Sequence, residues 1–167
     1  MSMKNDYTDT EWKAIATAPV AAGLLITLSD ASGPIGVAKE ALAVGRAISE
    51  SAVGDAPEIV KALAESVKSG GGRPALPDVP AGNRDQMKEA LTGVIKAAVG
   101  ALQSKSPAEV GPYKVWLASV AVKVAQASKE GGFLGIGGTL VSSDEQQALR
   151  QLADLLGVSV PQTAAQS

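Results

Sequence analysis

Cysteine and histidine are both absent from the 167 residues. Those two zeros exclude disulfides, thiolate nucleophiles, zinc sites of the Cys/His type, histidine-ligated haem and any imidazole base. Aromatic residues are scarce, at 3%. A core must therefore come from close contact between Ala, Val and Leu side chains, with Trp12 and Trp116 as its bulky anchors. Positive charge is not in excess: 15 Lys and Arg stand against 17 Asp and Glu, a net charge of -2, and no electrostatic footprint for nucleic acid exists. The opening residues Met1-Ser2-Met3-Lys4-Asn5-Asp6 lack the apolar run and small-residue cleavage site of a secretory leader. With no cysteine, a cytoplasmic setting is expected. The longest uncharged stretch, Ala14 to Ser29, is shorter than the roughly 18 residues of a spanning helix and contains Pro19.

What is present points to helices. Hydrophobic residues make up 46% and charged residues 19%, a globular balance that can bury roughly 70% of the unfolded surface at this length. Apolar residues recur at helical spacing from end to end, and no segment alternates as a strand would. The expected fold is all-α, a compact bundle of about six helices forming a single helical domain: a half over 8–69, a linker over 70–82, a half over 83–157 and a disordered tail over 158–167.

The first helix is predicted from Thr8–Thr10 to about Asp30, with Glu11 in its first turn and Pro19 kinking or dividing it. Gly33-Pro34 opens a second, with Ile35, Ala38, Leu42, Gly45, Ile48 and Ala52 on its apolar stripe. Asp55, Pro57 and Glu58 start a third, faced by Ile59, Val60, Leu63 and Val67, and Ser69-Gly70-Gly71-Gly72 stops it. Pro74, Pro77 and Pro80 follow at threefold spacing, which suits an extended connection; a plain linker and a PxxP-type ligand are the alternatives. Asn83 or Asp85 caps a fourth helix striped by Met87, Leu91, Ile95, Ala98, Val99 and Leu102. Ser106-Pro107 opens a fifth, with Glu109 completing a capping box and Tyr113, Trp116, Leu117, Val120 and Val124 making it the most buried element. Ser142-x-x-Glu145 caps the sixth, which Gly157 ends.

Chemistry-bearing patterns are few. The loop Gly131-Gly132-Phe133-Leu134-Gly135-Ile136-Gly137-Gly138-Thr139 is glycine-rich like a phosphate cradle, but the lysine of a P-loop is missing at Gly138 and the loop follows a helix, not a strand. Phe133, Leu134 and Ile136 cannot all share one helical face, and are expected to contact a partner. Ser119 and Lys123 stand at i, i+4, the spacing a Ser/Lys nucleophile would need, although the pair equally suits a solvated helix edge. Asp144 and Glu145 suit the positive end of a helix dipole. Oxygen-ligand cation sites need only carboxylates and carbonyls at loops. Two junctions supply them, Asp30 with Glu40 and Glu130 with Glu145, neither in EF-hand spacing, and ordinary capping is the competing explanation.

The run Leu28-Ser29-Asp30-Ala31-Ser32-Gly33 leading to Glu40 and Leu42, and the stretch Ala125 to Gly132 followed by Val141-Ser142-Ser143-Asp144-Glu145-Gln146-Gln147-Ala148-Leu149 to Leu156-Gly157, form a pattern of helix, acidic turn and helix. It resembles the repeated helical motif of the tellurite-resistance TerB-like bacterial proteins, mainly over 106–157, and is similar to short uncharacterised bacterial helical proteins. The resemblance implies acidic metal ligands, which fall here on Asp30, Glu40, Glu130 and Glu145. The chain departs from the pattern in the separation of Asp30 from Gly33 and in the long glycine insertion after Glu130. The expected function is that of a non-enzymatic helical binding or scaffold protein, stress- or metal-linked, with no cofactor other than a divalent cation. Its expected partner is a protein or a second copy of the chain. A peripheral membrane protein using the helix 20–28 or the loop 133–136 is the alternative.

Overall fold

The computed structural model describes residues 3–29, 37–79, 82–130 and 143–159, with side chains described for 4–29, 41–79, 82–126 and 143–159. After a short 3₁₀ turn at Met3–Asp6 come α1 (Asp9–Ser29), α2 (Val37–Ser51), α3 (Glu58–Ser69), α4 (Arg84–Lys105), α5 (Pro107–Glu130) and α6 (Ser143–Leu156). The fold is an all-α bundle of these six helices, and no strand occurs among the described residues. The start of the second helix at Gly33-Pro34, the glycine loop and the tail beyond 159 lie outside the described residues.

The middle of the bundle is shared by α1 and α5. Helix α1 packs most extensively on α4 and also against α5, α6 and α2. It is apolar on all sides over Ala18 to Leu24, and every one of those residues is buried, the pattern of a helix surrounded by others. Gly23 allows its close approach to α5: a Cβ there would lie 3.2 Å from Val124 Cγ1. Helix α5 touches all five other helices and buries Tyr113, Trp116, Leu117, Val120 and Val124, as its periodicity requires. The stripes of α3 and α4 are also found inside, through Ile59, Val60, Leu63, Val67, Leu91, Ile95, Ala98 and Leu102. Residues before and after the Gly/Pro segment therefore share one core cluster.

Three local expectations change. Pro19 neither ends nor divides α1, which runs continuously from Asp9 to Ser29. A proline inside a helix leaves the carbonyl four residues earlier without its amide donor. Here the fully buried Tyr113 hydroxyl donates to the Ile15 carbonyl at 2.9 Å and fills that vacancy from α5. Second, Leu42 leaves the α2 stripe and is 62% exposed, while Val44, Ala47 and Ile48 are buried. At about 100° per residue Leu42 sits opposite those three. Third, Glu109 does not close a capping box on its own helix. Its carboxylate accepts from the Ile59 amide of α3 at 3.2 Å, while the Ser106 amide donates to the Leu102 carbonyl. Helix α3 begins after Pro57, which offers no capping side chain. Glu109 thus satisfies an orphan donor in the first turn of a neighbouring helix.

The other ends follow local rules. Thr8 and Glu11 form a reciprocal capping box on α1, at 2.8 and 3.2 Å, and Asn83 with Gln86 does the same on α4. Helices α3 and α6 close with paired bonds of the Schellman type, Gly72 to Val67 with Gly71 to Lys68, and Val158 to Ala153 with Gly157 to Asp154. Gly71 and Gly157 supply the positive φ at those turns, 78° and 70°. The Gly/Pro segment is seated on the bundle: Pro74 is buried over Gly45 of α2, and Asp78 pairs with Lys13 of α1. Its prolines are therefore partly engaged within the chain.

Candidate functional site

The 3₁₀ turn and the α4–α5 corner form a polar cluster. Tyr7 Oη donates to Ser106 Oγ at 2.8 Å, and Lys105 Nζ reaches both the Asp6 carbonyl at 3.0 Å and Glu11 Oε2 at 2.9 Å. The ammonium also lies 5.8 Å from the Tyr7 ring centroid, within cation–π range. The Thr8 amide and Lys105 hold the Glu11 carboxyl below the usual carboxylate range. Lys105 and Glu11 are paired with each other, so the cluster serves to fasten the N-terminal turn.

A different arrangement occurs where α1, α4 and α6 meet. Leu25 and Ser29 of α1, Lys88 and Thr92 of α4, and Ala148, Gln151, Leu152 and Leu155 of α6 line a cleft of about 130 Å³. Leu152 and Ala148 are buried at its floor, and Leu155 is partly exposed. The periodicities explain the grouping. Lys88 and Thr92 stand four residues apart on one face of α4, as do Ala148 and Leu152, and Gln151 and Leu155, on α6. Ser29 Oγ is committed to the Ile26 carbonyl. Lys88, by contrast, has no ion pair with any described residue, and no acid among the described residues lines the cleft. The site thus joins an apolar wall to one available cation, the Thr92 hydroxyl and the Gln151 amide.

The site residues expected from the sequence are distributed otherwise. Asp30 and the apolar trio Phe133, Leu134 and Ile136 lie outside the described residues, as do the side chains of Glu40 and Glu130. Glu145 is buried in the first turn of α6. No group of three acidic side chains able to share a metal ion occurs among the described residues. Ser119 and Lys123 do not engage each other: Ser119 Oγ donates to the Trp116 carbonyl at 2.7 Å, and exposed Lys123 lies 3.9 Å from Glu50. Trp12 and Trp116 are core residues, each 6% exposed. Within the apolar run 20–28, all but Leu25 and Thr27 are buried. That helix is long and apolar enough to cross a bilayer, but two-thirds of its most apolar window is covered by the rest of the bundle.

No family model, curated protein or solved structure matches the chain. The cleft between α1, α4 and α6 was missed in the sequence because its eight residues come from three separated helices and no motif links them. Lys88 reads there as one more solvated charge.

Proposed function

We propose that the chain is a non-catalytic helical binding protein whose ligand enters the cleft between α1, α4 and α6. The observation that carries this reading is the company kept by Lys88, an available ammonium beside Leu25, Leu152 and Leu155. Binding sites commonly combine an apolar lining with a few placed polar groups. The non-catalytic part rests on side-chain chemistry: the chain has no histidine or cysteine, and the Ser119 hydroxyl is turned back onto its own helix.

The volume sets the scale of the ligand. Drug-sized sites run from about 300 Å³ upward, so a cleft of about 130 Å³ takes only a small molecule or one end of a larger one. The test is ligand-observed NMR with a pool of small amphipathic molecules, comparing the native chain with Thr92→Trp, whose indole fills the cleft. Signals lost in the variant, at unchanged melting temperature, are the expected result. Equal binding to both chains, or binding to neither, would refute the reading.

A further inference from the structure

We infer that the cleft between α1, α4 and α6 selects a short-chain monocarboxylate, held with its carboxylate on Lys88 and its alkyl tail against Leu25, Leu152 and Leu155. The inference rests on the proposed cleft and adds the chemical class of its occupant. Three observations combine. Among the described residues the lining carries one positive charge, Lys88, and no negative one, so an anion is complementary and a cation is repelled. Lys88 is half-buried and has no ion pair with a described residue, so no described partner need be displaced. Thr92, one turn further along α4, and Gln151, across the cleft on α6, each bring a donor to the same space. A carboxylate accepts several such bonds at once, and bonds to an ionised acceptor are the stronger kind.

The apolar side limits the tail. A cavity of 150 Å³ holds a benzene ring, so about 130 Å³ accommodates roughly six heavy atoms. Counting the two carboxylate oxygens, that is a linear acid of about four carbons, or five where the carboxylate on half-buried Lys88 stands partly outside the cleft. A dicarboxylate would press its second charge against Leu152 or Leu155 with no cation to receive it, and is disfavoured.

The experiment is a titration of the ¹⁵N-labelled full chain with pentanoate, pentanol and pentylamine at constant ionic strength, followed by amide shifts. Pentanoate is expected to move the Thr92, Gln151 and Leu152 amides saturably and to bind about tenfold more tightly than pentanol, the gain of one charge-assisted bond. Lys88→Met should remove that tenfold advantage and leave pentanol binding unchanged, while Lys88→Arg should keep most of it. Pentanol binding as tightly as pentanoate would overturn the anion inference and leave the cleft standing. If no probe moves these amides, both fall. Amide shifts that instead grow with protein concentration would mean that a second copy of the chain fills the cleft, which also overturns the inference.

Discussion

Replacing Tyr113 with Phe should expose how α1 tolerates its internal proline. The substitution keeps the ring, which is fully buried, and deletes the hydroxyl that donates to the Ile15 carbonyl. That carbonyl has no other donor from its own helix, because Pro19 lacks an amide hydrogen. Stranding a buried acceptor costs about 1–3 kcal/mol. With roughly 2–4 °C lost per kcal/mol in a chain of this size, a loss of ~2 kcal/mol lowers Tm by about 4–8 °C. The decisive measurement is a double-mutant cycle with Pro19→Ala, scored by urea denaturation. Alanine returns an amide to the Ile15 carbonyl, so Tyr113→Phe should then cost only about 0.5 kcal/mol, a coupling of at least ~1 kcal/mol. Cavity and propensity effects of Pro19→Ala cancel in the cycle. If Tyr113→Phe costs the same in both backgrounds, the hydroxyl is not standing in for the missing amide.

Burial pushes the Tyr113 phenol far above its ordinary value of 10.0. The folded chain therefore keeps a proton that the unfolded chain releases, and stability should fall as pH rises above about 10, a slope that Tyr113→Phe should reduce in alkaline unfolding curves. Glu11 has the opposite sign: its carboxyl is depressed by the Thr8 amide and Lys105, so its contribution is present above the unfolded value of 4.5 and fades as pH falls through the lower folded one. Lys105→Met should flatten that acid limb. Glu109→Ala should destabilise by about 1 kcal/mol and speed hydrogen exchange at the Ile59 amide, whereas Glu109→Gln should restore much of the protection; unchanged exchange in Glu109→Ala would show that the bond to α3 is idle. Gly93 and Gly100 are exposed within α4 and have open space where a Cβ would stand, so Gly93→Ala with Gly100→Ala should add about 1–2 kcal/mol in thermal unfolding. Gly23→Leu, which meets Val124, should instead cost about 1–3 kcal/mol.

Helix positions were largely legible, since they depend on short-range chemistry. Thr8 with Glu11, Asn83 with Gln86, and the glycines at 71 and 157 act within a few residues of themselves. Contacts that cross the bundle were not legible. Tyr113 finds Ile15 across 98 positions, and Glu109 finds Ile59 across 50. Both nevertheless left a trace. A proline within an apolar helix announces a carbonyl that needs a donor, and a helix entered through Ala56-Pro57 announces amides that need an acceptor. Such vacancies identify the question but not the residue that answers it. The α1–α4–α6 cleft left less, because Lys88, Gln151 and Leu155 are ordinary surface residues until three helices converge. The exposure of Leu42 shows a related gap: its stripe and that of Val44, Ala47 and Ile48 overlap in sequence, and only the positions of α1, α3 and α5 decide between them.

The long separation between α1 and its partners also sets an order of events during synthesis. Helix α1 ends at Ser29, while Tyr113, which completes it, is made 84 residues later. At about 5–20 residues per second, that interval lasts roughly 4–17 s. During it the most apolar helix of the chain has no finished core to enter, and its Ile15 carbonyl has no donor from α5. The nascent chain is thus most vulnerable to aggregation before α5 emerges, and a stall between α4 and α5 would prolong the exposure of a segment whose most apolar stretch the finished fold covers by two-thirds.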